Sequence, residues 1–317
     1  MKEINSIINK HIDKTGEKIS IICKLDESLN ARLYKINYQG NISILKLYKS
    51  NDELRFQREK RSLEILNKNK FKYCPKLFFF DNFNKYLIIE NLNGVKPISN
   101  NKFKCDLARY IDNQQKFVSL SDKKSMINAA ESGFSISEHL EIVKNKAEHI
   151  LSKLVFNNET KETIKFISNH IIPWLNSYGE KLESYGKFDE KISFSERIFS
   201  QSDIGIHNSF LNKQNIYTFD YEYAGLDDPA KTICDLLIHP DQLVEKDDFA
   251  FVLRIVSKIG IFQKSIKRFK TILPIYRYKW FLIVINGYLK KEKKESELTY
   301  KVIKKAFDYL SIIEKIN

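Results

Sequence analysis

The stretch SQSDIGIHNSFLNKQNIYTFDYEYAGLDDPAKTICD, residues 200–235, decides how this chain is interpreted. It holds two carboxylates and an amide, Asp203, Asn208 and Asp220, in a span of 18 residues. Between Asn208 and Asp220 lies NIYTF, a short β-rich run flanked by polar residues, which predicts a hairpin. This order predicts a site that brings a proton-accepting group and two metal ligands together.

Each of these residues also has an ordinary structural explanation. Asp203 and Asn208 are typical turn-capping residues, and Asp220 would be a carboxylate at a strand end. Because all three occur around two strand-turn elements at this spacing, the chemical interpretation is favoured over the structural one.

The residues that follow Asp220 are best explained structurally. Asp227 and Asp228 precede Pro229, and the pattern predicts that Asp228 caps a helix whose first residue is Pro229. Asp235 would brace the loop from within that helix or lie on its surface. His207 and His239 have no second ligand at metal spacing, so both are expected to be core or surface histidines.

Length and composition set the broad class. With 317 residues the chain exceeds one compact core, so two lobes are expected. No apolar run is long enough for a membrane span, and the N-terminus is charged throughout. The four cysteines show no C-x-x-C spacing, which disfavours a zinc site or disulfide framework and fits a cytoplasmic protein.

The formal net charge of +13 allows two interpretations. One is attraction to polyanions such as nucleic acid, anionic lipid or phosphorylated ligands. The other is a Lys- and Asn-rich composition without functional meaning. Because no recognition motif accompanies the charge, we expect no nucleic-acid partner.

The first ninety residues have the pattern of several strands and one helix. The segments KISIICKL, ARLYKINY, NISILKLY, KLFFFD and KYLIIENL have strand composition, and Gln39-Gly40-Asn41 marks a turn between the second and the third. NDELRFQREKRSLEILNKN predicts an amphipathic helix capped by Asn51 or Asp52. The expectation is a five-stranded antiparallel sheet with one helix after its third strand.

From about Ile98 the periodicity becomes helical, interrupted only by residues 200–235. The predicted fold class is therefore α+β, with an N-lobe of residues 1–93 and a larger helical C-lobe of residues 94–317. Within the C-lobe, Tyr276, Trp280 and Phe281 could face a ligand, although their helical spacing is more typical of core residues.

Two charged residues of the N-lobe complete the candidate site. Lys46 lies mid-strand among apolar neighbours, and Glu59 follows thirteen residues later on the helix. Taken alone, both are expected to be surface charges. A strand lysine paired with a helix glutamate is also the arrangement that holds an ammonium on nucleotide phosphates. Phosphoryl transfer requires such a cation, metal ligands and a group that orients the acceptor hydroxyl.

Residues 200–235 resemble the aminoglycoside and choline phosphotransferases, small-molecule kinases with the protein-kinase fold. The family reads H-x-D-x-x-x-x-N, then I-D-[FWY]-E-x-A and a G-x-D-P turn; this chain reads QSDIGIHN, FDYEYA and GLDDP. The resemblance implies ATP and Mg²⁺ as cofactors, Asp203 as catalytic base, and Asn208 and Asp220 as magnesium ligands. It also implies that Lys46 contacts the α- and β-phosphates with Glu59 as partner. The backbone of residues 87–94, including Glu90 and Leu92, would meet the adenine.

The chain departs from the family pattern at two places. Gln201 replaces the bracing histidine of the catalytic loop, and the phosphate loop LDESLNAR lacks glycine, so Ser28 or Asn30 would contribute instead. The variant S-x-S-D-x-G-x-H-N also resembles a subgroup associated with bacterial surface-polysaccharide gene clusters.

Three functions remain open from the sequence. The favoured one is an ATP-dependent kinase for a small hydroxylated metabolite, such as a sugar, an amino alcohol or an aminoglycoside-like compound. A nucleotide-binding pseudokinase or scaffold is the second, motivated by Gln201 and the glycine-free loop. A basic nucleic-acid or membrane-surface protein that merely uses this fold is the third.

Overall fold

The computed structural model describes residues 2–25, 30–49, 52–184, 186–243, 246–289 and 296–315. Its first lobe is an antiparallel sheet in the order β1-β2-β3-β5-β4, which confirms the five predicted strands. The strands are β1 (Ile19–Lys24), β2 (Ala31–Tyr38), β3 (Asn41–Tyr48), β4 (Leu77–Asp81) and β5 (Tyr86–Glu90). The predicted turn closes β2 onto β3, since Gln39 and Gly40 both adopt the left-handed backbone that a two-residue hairpin loop requires.

The predicted helix follows β3 as α2 (Glu53–Lys68), with Asp52 at its N-cap. The other candidate cap, Asn51, lies outside the described residues. Asp52 makes no capping bond to the backbone; its carboxylate instead accepts a hydrogen bond from Arg55 at 2.5 Å. The helix buries Phe56, Leu63 and Leu66 against the sheet, which also carries Glu59 into the interior.

The lobe contains a second helix that the sequence analysis did not anticipate, α1 (Lys2–Thr15). Its residues Ile4, Ile7 and Ile8 pack on the face of the sheet away from α2, in a cluster with Ile36 and Leu45. Their i, i+3, i+4 spacing is the signature of a helix with one apolar face. The charged residues between them hid this pattern.

The second lobe is mainly helical. Its helices are α3 (Asn101–Gln115), α4 (Leu120–Lys124), α5 (Ile136–Lys153), α6 (Lys161–Phe166), α7 (Ile172–Ser184), α8 (Pro229–Ile238), α9 (Lys246–Val256), α10 (Gly260–Gln263), α11 (Ile266–Leu289) and α12 (Ser296–Ile313). A π-helical turn (Ile167–Ile171) joins α6 to α7, and 3-10 turns occupy Phe194–Glu196 and Ile206–Asn208. Helix α11 packs against α5, α8 and α12 and forms the centre of the lobe.

Residues 198–227 interrupt these helices with four short strands. They are β6 (Ile198–Ser200), β7 (Ser209–Asn212), β8 (Asn215–Thr218) and β9 (Gly225–Asp227). β7 and β8 form the predicted hairpin, whereas β6 pairs with β9. The stretch therefore leaves β6, forms the hairpin and returns beside its starting point, which brings the residues before and after the hairpin together.

The connection between the lobes is fastened to the hairpin. Val95 donates a backbone hydrogen bond to Leu211 at 2.9 Å and accepts one from it at 2.8 Å. Gly94 fits here because a β-carbon would lie 2.7 Å from the Leu211 carbonyl oxygen. The proposed boundary between residues 93 and 94 falls in this connection and stays a prediction. Among the helices of the described residues, none is both long and apolar enough to cross a membrane.

Candidate active site

The turn after β6 presents the carboxylate of Asp203. Ser202 adopts a left-handed backbone (φ 66°), and the 3-10 turn that follows brings His207 and Asn208 back to Asp203. The His207 Nε2 atom lies 3.1 Å from Asp203 Oδ1, and the Asn208 amide donates to the Asp203 carbonyl at 2.8 Å. Asp203 is therefore held from two sides while a third of its side chain, 34%, stays exposed.

The electrostatics of the turn keep Asp203 ionised. Burial opposes the charge, but the His207 hydrogen bond and the nearby charges of His207, His239 and Lys279 lower the pKa of Asp203 below its usual value. At neutral pH the carboxylate is consequently a hydrogen-bond acceptor, as a group that orients a hydroxyl must be.

Gln201 links this turn to the segment that carries Asp220. Its side-chain amide donates to the backbone carbonyls of Phe219 and of Asp220, the latter at 3.1 Å. The glutamine is buried, and its own carbonyl oxygen has no partner among the described residues. Gln201 thus makes a bracing contact through its amide donors alone.

Lys46 lies at the junction of the two lobes. Its ammonium is 2.6 Å from Glu59 of α2 and 2.6 Å from Asp220 of the C-lobe. Tyr48 donates to the same oxygen of Glu59 that Lys46 contacts. Burial opposes the ammonium charge, but Asp220 and Glu59 raise the pKa of Lys46 well above its usual value. The structure therefore brings together the lysine and the glutamate that the sequence analysis paired.

Glu222 joins this group, although the sequence analysis gave it no role. One of its oxygens is 3.3 Å from the Lys46 ammonium, and the other accepts from Asn30 at 2.6 Å. The only sequence signal was its place in FDYEYA, two residues after Asp220. Single oxygens of Glu59, Asp220 and Glu222 lie within 4.8 Å of one another. Three carboxylates around one ammonium form a set of hard oxygen donors suited to Mg²⁺.

The residues predicted to contact the nucleotide lie in different parts of the structure. Ser28 lies outside the described residues. Asn30 contacts the acidic group, since it donates to Glu222 and to the Tyr223 hydroxyl at 3.1 Å. Glu90 ends β5 and its carboxylate accepts from the backbone of Lys76 at 3.2 Å. Leu92 is half-buried in the connection between the lobes.

The two histidines expected to be isolated lie side by side next to Asp203. The rings of His207 and His239 stack with centroids 4.8 Å apart. His239 Nε2 is 3.9 Å from Asp203 Oδ1, and its ring meets Trp280 edge-on at 4.3 Å. The sequence showed no second ligand at metal spacing for either histidine, whereas the structure brings ligand atoms of Asp203, His207 and His239 within 4.8 Å of one another. His207 follows Asp203 by four residues, but His239 comes from the end of α8 and only the fold brings it here.

A second charged group holds the turn that carries Asp203. Lys231 of α8 is fully buried and contacts Asp227 at 2.6 Å, Asp235 at 3.0 Å and the Ser202 hydroxyl at 2.9 Å. Burial raises the pKa of Asp227 to about 6, and the carboxylate remains ionised at pH 7. Of the two roles left open for Asp235, the structure shows the bracing one.

The predicted start of α8 is also observed. Asp228 is its N-cap and accepts from the Ala230 backbone at 2.7 Å, with Pro229 in the first turn. The other Asp228 oxygen contacts Arg268 and lies 3.2 Å from His139. These contacts give the cap a structural role, as expected.

A cavity of about 830 Å³ lies elsewhere, beside α3 and the turn of the β7–β8 hairpin. Its walls include Tyr73, Phe103, Tyr110 and Ile216, and none of the predicted site residues lines it. We place the site around Asp203 and Lys46 because the ionisable groups converge there.

No protein-family model and no curated protein matches this sequence. Solved structures match nearly all of it. The match with a spectinomycin phosphotransferase crystallised with ADP and spectinomycin covers 98% of this chain and 98% of that protein, with a TM-score of 0.61 and 16% sequence identity. For the choline kinase LicA from Streptococcus pneumoniae the coverage is 98% and 99%, the TM-score 0.62 and the identity 15%. The match with a type I macrolide 2'-phosphotransferase covers 98% of this chain and 97% of that protein, with a TM-score of 0.60 and 12% sequence identity.

At these identities the matches establish the fold. The two lobes, the five-stranded sheet and the helical C-lobe all have counterparts, since each structure is covered almost end to end. The fold implied by residues 200–235 thus holds for the whole molecule. The chain has the two-lobed, protein-kinase-like fold of the aminoglycoside, macrolide and choline phosphotransferases.

Proposed function

We propose that this chain is an ATP- and Mg²⁺-dependent phosphotransferase that moves the γ-phosphate to a hydroxyl of a small metabolite. One observation carries the proposal: Lys46 and Glu59 of the N-lobe meet Asp220 and Glu222 of the C-lobe, and Gln201 joins the Asp220 backbone to the turn that holds the ionised Asp203. Matching structures contain ADP or AMP, which supports a nucleotide in the cleft between the lobes.

Asp203 acts on the acceptor. Its ionised carboxylate accepts a hydrogen bond from the acceptor hydroxyl, orients the oxygen, and takes the proton late in transfer. His207 occupies Oδ1 at 3.1 Å and restricts the rotation of the carboxylate. The Asn208 amide fixes the backbone of the same residue.

Lys46 acts on the nucleotide. Glu59, which also accepts a hydrogen bond from Tyr48, holds the ammonium in place, so that it can neutralise the α- and β-phosphates. Asn208 and Asp220 would hold Mg²⁺, and Glu222 is a third candidate for the same ion. When bound, Mg²⁺ offsets the negative charge of the phosphates. The backbone near Glu90 and Leu92 would contact the adenine, with Asn30 and Ser28 on the phosphate side.

The substitution Asp203→Asn tests the proposal. It keeps the size of the side chain and removes the proton acceptor, so ADP formation with a panel of hydroxylated acceptors should fall about 10²- to 10⁴-fold. Asp308→Asn, on the exposed face of α12, is the matched control and should keep full activity. Undiminished turnover in Asp203→Asn would exclude Asp203 as the base.

Nucleotide binding separates the proposal from a scaffold role. Saturating Mg²⁺–ATP should raise the unfolding temperature of both variants, because a ligand at about 100 times its Kd stabilises the native state by about 2.7 kcal/mol. Stabilisation without ADP formation for any acceptor would instead indicate a pseudokinase. Absence of both would exclude the proposed function.

A further inference from the structure

The α8 turn, residues 239–242, packs beside the segment that carries the proposed base, and the chemistry described above gives it no role. Its own hydrogen bonds fix its shape. The Gln242 backbone donates to the His239 carbonyl at 3.0 Å, and the Asp241 backbone donates to His239 Nδ1 at 3.1 Å. Asp241 also contacts Lys305 of α12 at 2.6 Å, so the α8 turn is anchored to a second helix.

The side chain of Gln242 reaches from the α8 turn to the 3-10 turn Ile206–Asn208. Its Oε1 atom accepts a hydrogen bond from the Ile206 backbone N–H at 2.9 Å. This N–H is one of those that a helical turn leaves without a partner at its start. Gly205 occupies the N-cap position and has no side chain that could accept it. Gln242 therefore supplies, from another part of the chain, the cap that the 3-10 turn lacks.

The space around Gly205 shows how closely Gln242 fits the 3-10 turn. A β-carbon on Gly205 would lie 2.7 Å from Gln242 Oε1 and 3.0 Å from His207 Cε1. The Gly205 carbonyl accepts from the Asn208 backbone at 3.1 Å, and the Asn208 side chain holds the Asp203 carbonyl. The position of Gln242 consequently limits where Asn208 can lie, and through it the backbone of the proposed base.

Gln242 is held in turn by Lys104 of α3. The Lys104 amine donates to the Gln242 backbone carbonyl, and each of the two residues is 1% exposed. Among the residues that the structure describes, no carboxylate forms an ion pair with Lys104. Burial lowers the pKa of Lys104 to about 7, and the charge of Asp248 opposes this shift. A hydrogen bond, not a salt bridge, thus connects α3 to the α8 turn.

Both polar side chains are buried in a way that lowers stability. The Gln242 Nε2 atom has no partner among the described residues, and a buried amide donor without a partner is unfavourable. Burying Lys104 without a carboxylate is unfavourable for the same reason. Natural proteins depart from these rules mainly at functional sites. Here the two side chains share one contact, and that contact leads to the 3-10 turn beside the proposed base.

We propose that Gln242 is a positioning residue of the phosphotransfer site: its side-chain carbonyl sets the 3-10 turn Ile206–Asn208, and Lys104 holds Gln242 in place. This inference rests on the proposed phosphotransfer. Because Gln242 is buried, it acts through the backbone of the turn and not on the substrates. A shift of the turn would misplace both Asn208 and Asp203, and a displacement of about 1 Å can lower turnover about 100-fold.

The substitution Gln242→Met tests the inference. Methionine has a similar volume and removes both the acceptor for Ile206 and the unpaired amide donor, so the two effects on stability oppose each other. Turnover, kcat, should fall about 10- to 100-fold, while KM for ATP should change less than about twofold, because Lys46 is untouched. Choline, D-glucose and kanamycin serve as acceptors, and the best wild-type acceptor is used for all variants. Gln263→Met, exposed on α10, is the matched control and should keep full activity.

Two further variants test the chain of contacts. Gln242→Glu is the rescue variant: a carboxyl group, protonated or not, presents an oxygen to the Ile206 amide, so most of the turnover should return. Lys104→Met should lower kcat less than Gln242→Met does. The double variant should fall no further than Gln242→Met alone, because the two residues act through the same contact. Lys102→Met, exposed on the same helix, is the control for Lys104→Met.

Hydrogen exchange measured by mass spectrometry gives a readout that does not depend on turnover. The backbone amides of residues 204–208 should exchange faster in Gln242→Met than in the wild type, since the Ile206 amide has lost its acceptor, and should recover in Gln242→Glu. If Gln242→Met folds poorly, Gln242→Asn replaces it in both measurements, because its amide is one carbon too short to reach Ile206.

Undiminished kcat in a well-folded Gln242→Met or Gln242→Asn variant would overturn the inference. Unchanged exchange of residues 204–208 would do the same, as would a well-folded glutamate variant that is as impaired as the methionine one. These outcomes leave the phosphotransfer itself intact, since the wild type still forms ADP. If the wild type forms no ADP with any acceptor, the proposed function has failed, and the exchange measurement still decides whether Gln242 holds the turn.

Discussion

Two buried lysines of this chain, Lys46 and Lys231, have nearly the same surroundings and different consequences. Lys46 contacts Glu59, Asp220 and Glu222, one carboxylate from the N-lobe and two from the C-lobe. Lys231 contacts Asp227 and Asp235 within a single lobe. Around Lys46 the carboxylates are in excess, whereas the Lys231 group, with Lys279 beside it, balances.

The difference is the one expected between a ligand site and a structural support. Excess carboxylates held close together repel one another, and an arrangement of this kind persists where a bound cation offsets the charge. A balanced group needs no ligand and contributes by holding its elements in place, since breaking it would leave a buried charge alone. We therefore expect substitutions around Lys46 to affect activity and substitutions around Lys231 to affect stability.

Within this comparison of the two lysine groups, the largest effect is expected from Asp220→Asn. Asparagine tolerates the left-handed backbone of this position (φ 66°) but removes one charge from the carboxylates around Lys46. ADP formation should fall about 10²- to 10³-fold, while the unfolding temperature should not fall, because Lys46 keeps two carboxylates. Thermal unfolding and turnover measured on the same preparation would check this. A destabilised variant would contradict the assignment of this group to ligand binding.

The second effect is expected from Lys231→Met. Methionine fills the space of the lysine stem but leaves Asp227 and Asp235 without their shared ammonium, at a cost of about 3–5 kcal/mol in the free energy of unfolding. Denaturant titration would measure this, with Lys270→Met as the exposed control, for which the change should stay within about 0.5 kcal/mol. An equally small change for Lys231→Met would show that the balanced group is dispensable.

The smallest effect is expected from substitution of Gln201, which connects the two regions. Gln201→Leu removes the donors that hold the Phe219 and Asp220 carbonyls, so stability should decrease by about 1 kcal/mol. Turnover should fall about tenfold, because Asp220 is less well positioned. Gln201→His retains a ring donor and should recover most of the activity. A histidine variant as impaired as the leucine one would show that the brace depends on the shape of glutamine.

Much of the site could be predicted because its residues are close in sequence or lie on elements with clear periodicity. Asp203, Asn208 and Asp220 share one strand-turn-hairpin segment, and β3 with α2 places Lys46 and Glu59 at a fixed offset. The five strands were visible from alternation and turn residues. These are local signals, which a sequence carries directly.

The missed features depend on distant contacts. His239 reaches Asp203 only because α8 ends there, and Glu131 meets Lys279 only because α11 crosses its loop. No spacing in the sequence encodes either meeting. Helix α1 is different, since Ile4, Ile7 and Ile8 carried a readable pattern that its charged residues obscured.

The short antiparallel bridge between Val95 and Leu211 has a mechanical consequence. Because both of its hydrogen bonds fasten the connection to the β7–β8 hairpin, the chain beyond Gly94 travels with the C-lobe. Residues 91–93 then remain as a short pivot after β5 ends at Glu90, and the Asn93 carbonyl also accepts a hydrogen bond from Asn212 of the hairpin at 3.4 Å. So short a pivot has few rotatable backbone torsions. We therefore expect the two lobes to open as rigid bodies about a single axis, not to separate as domains on a flexible linker.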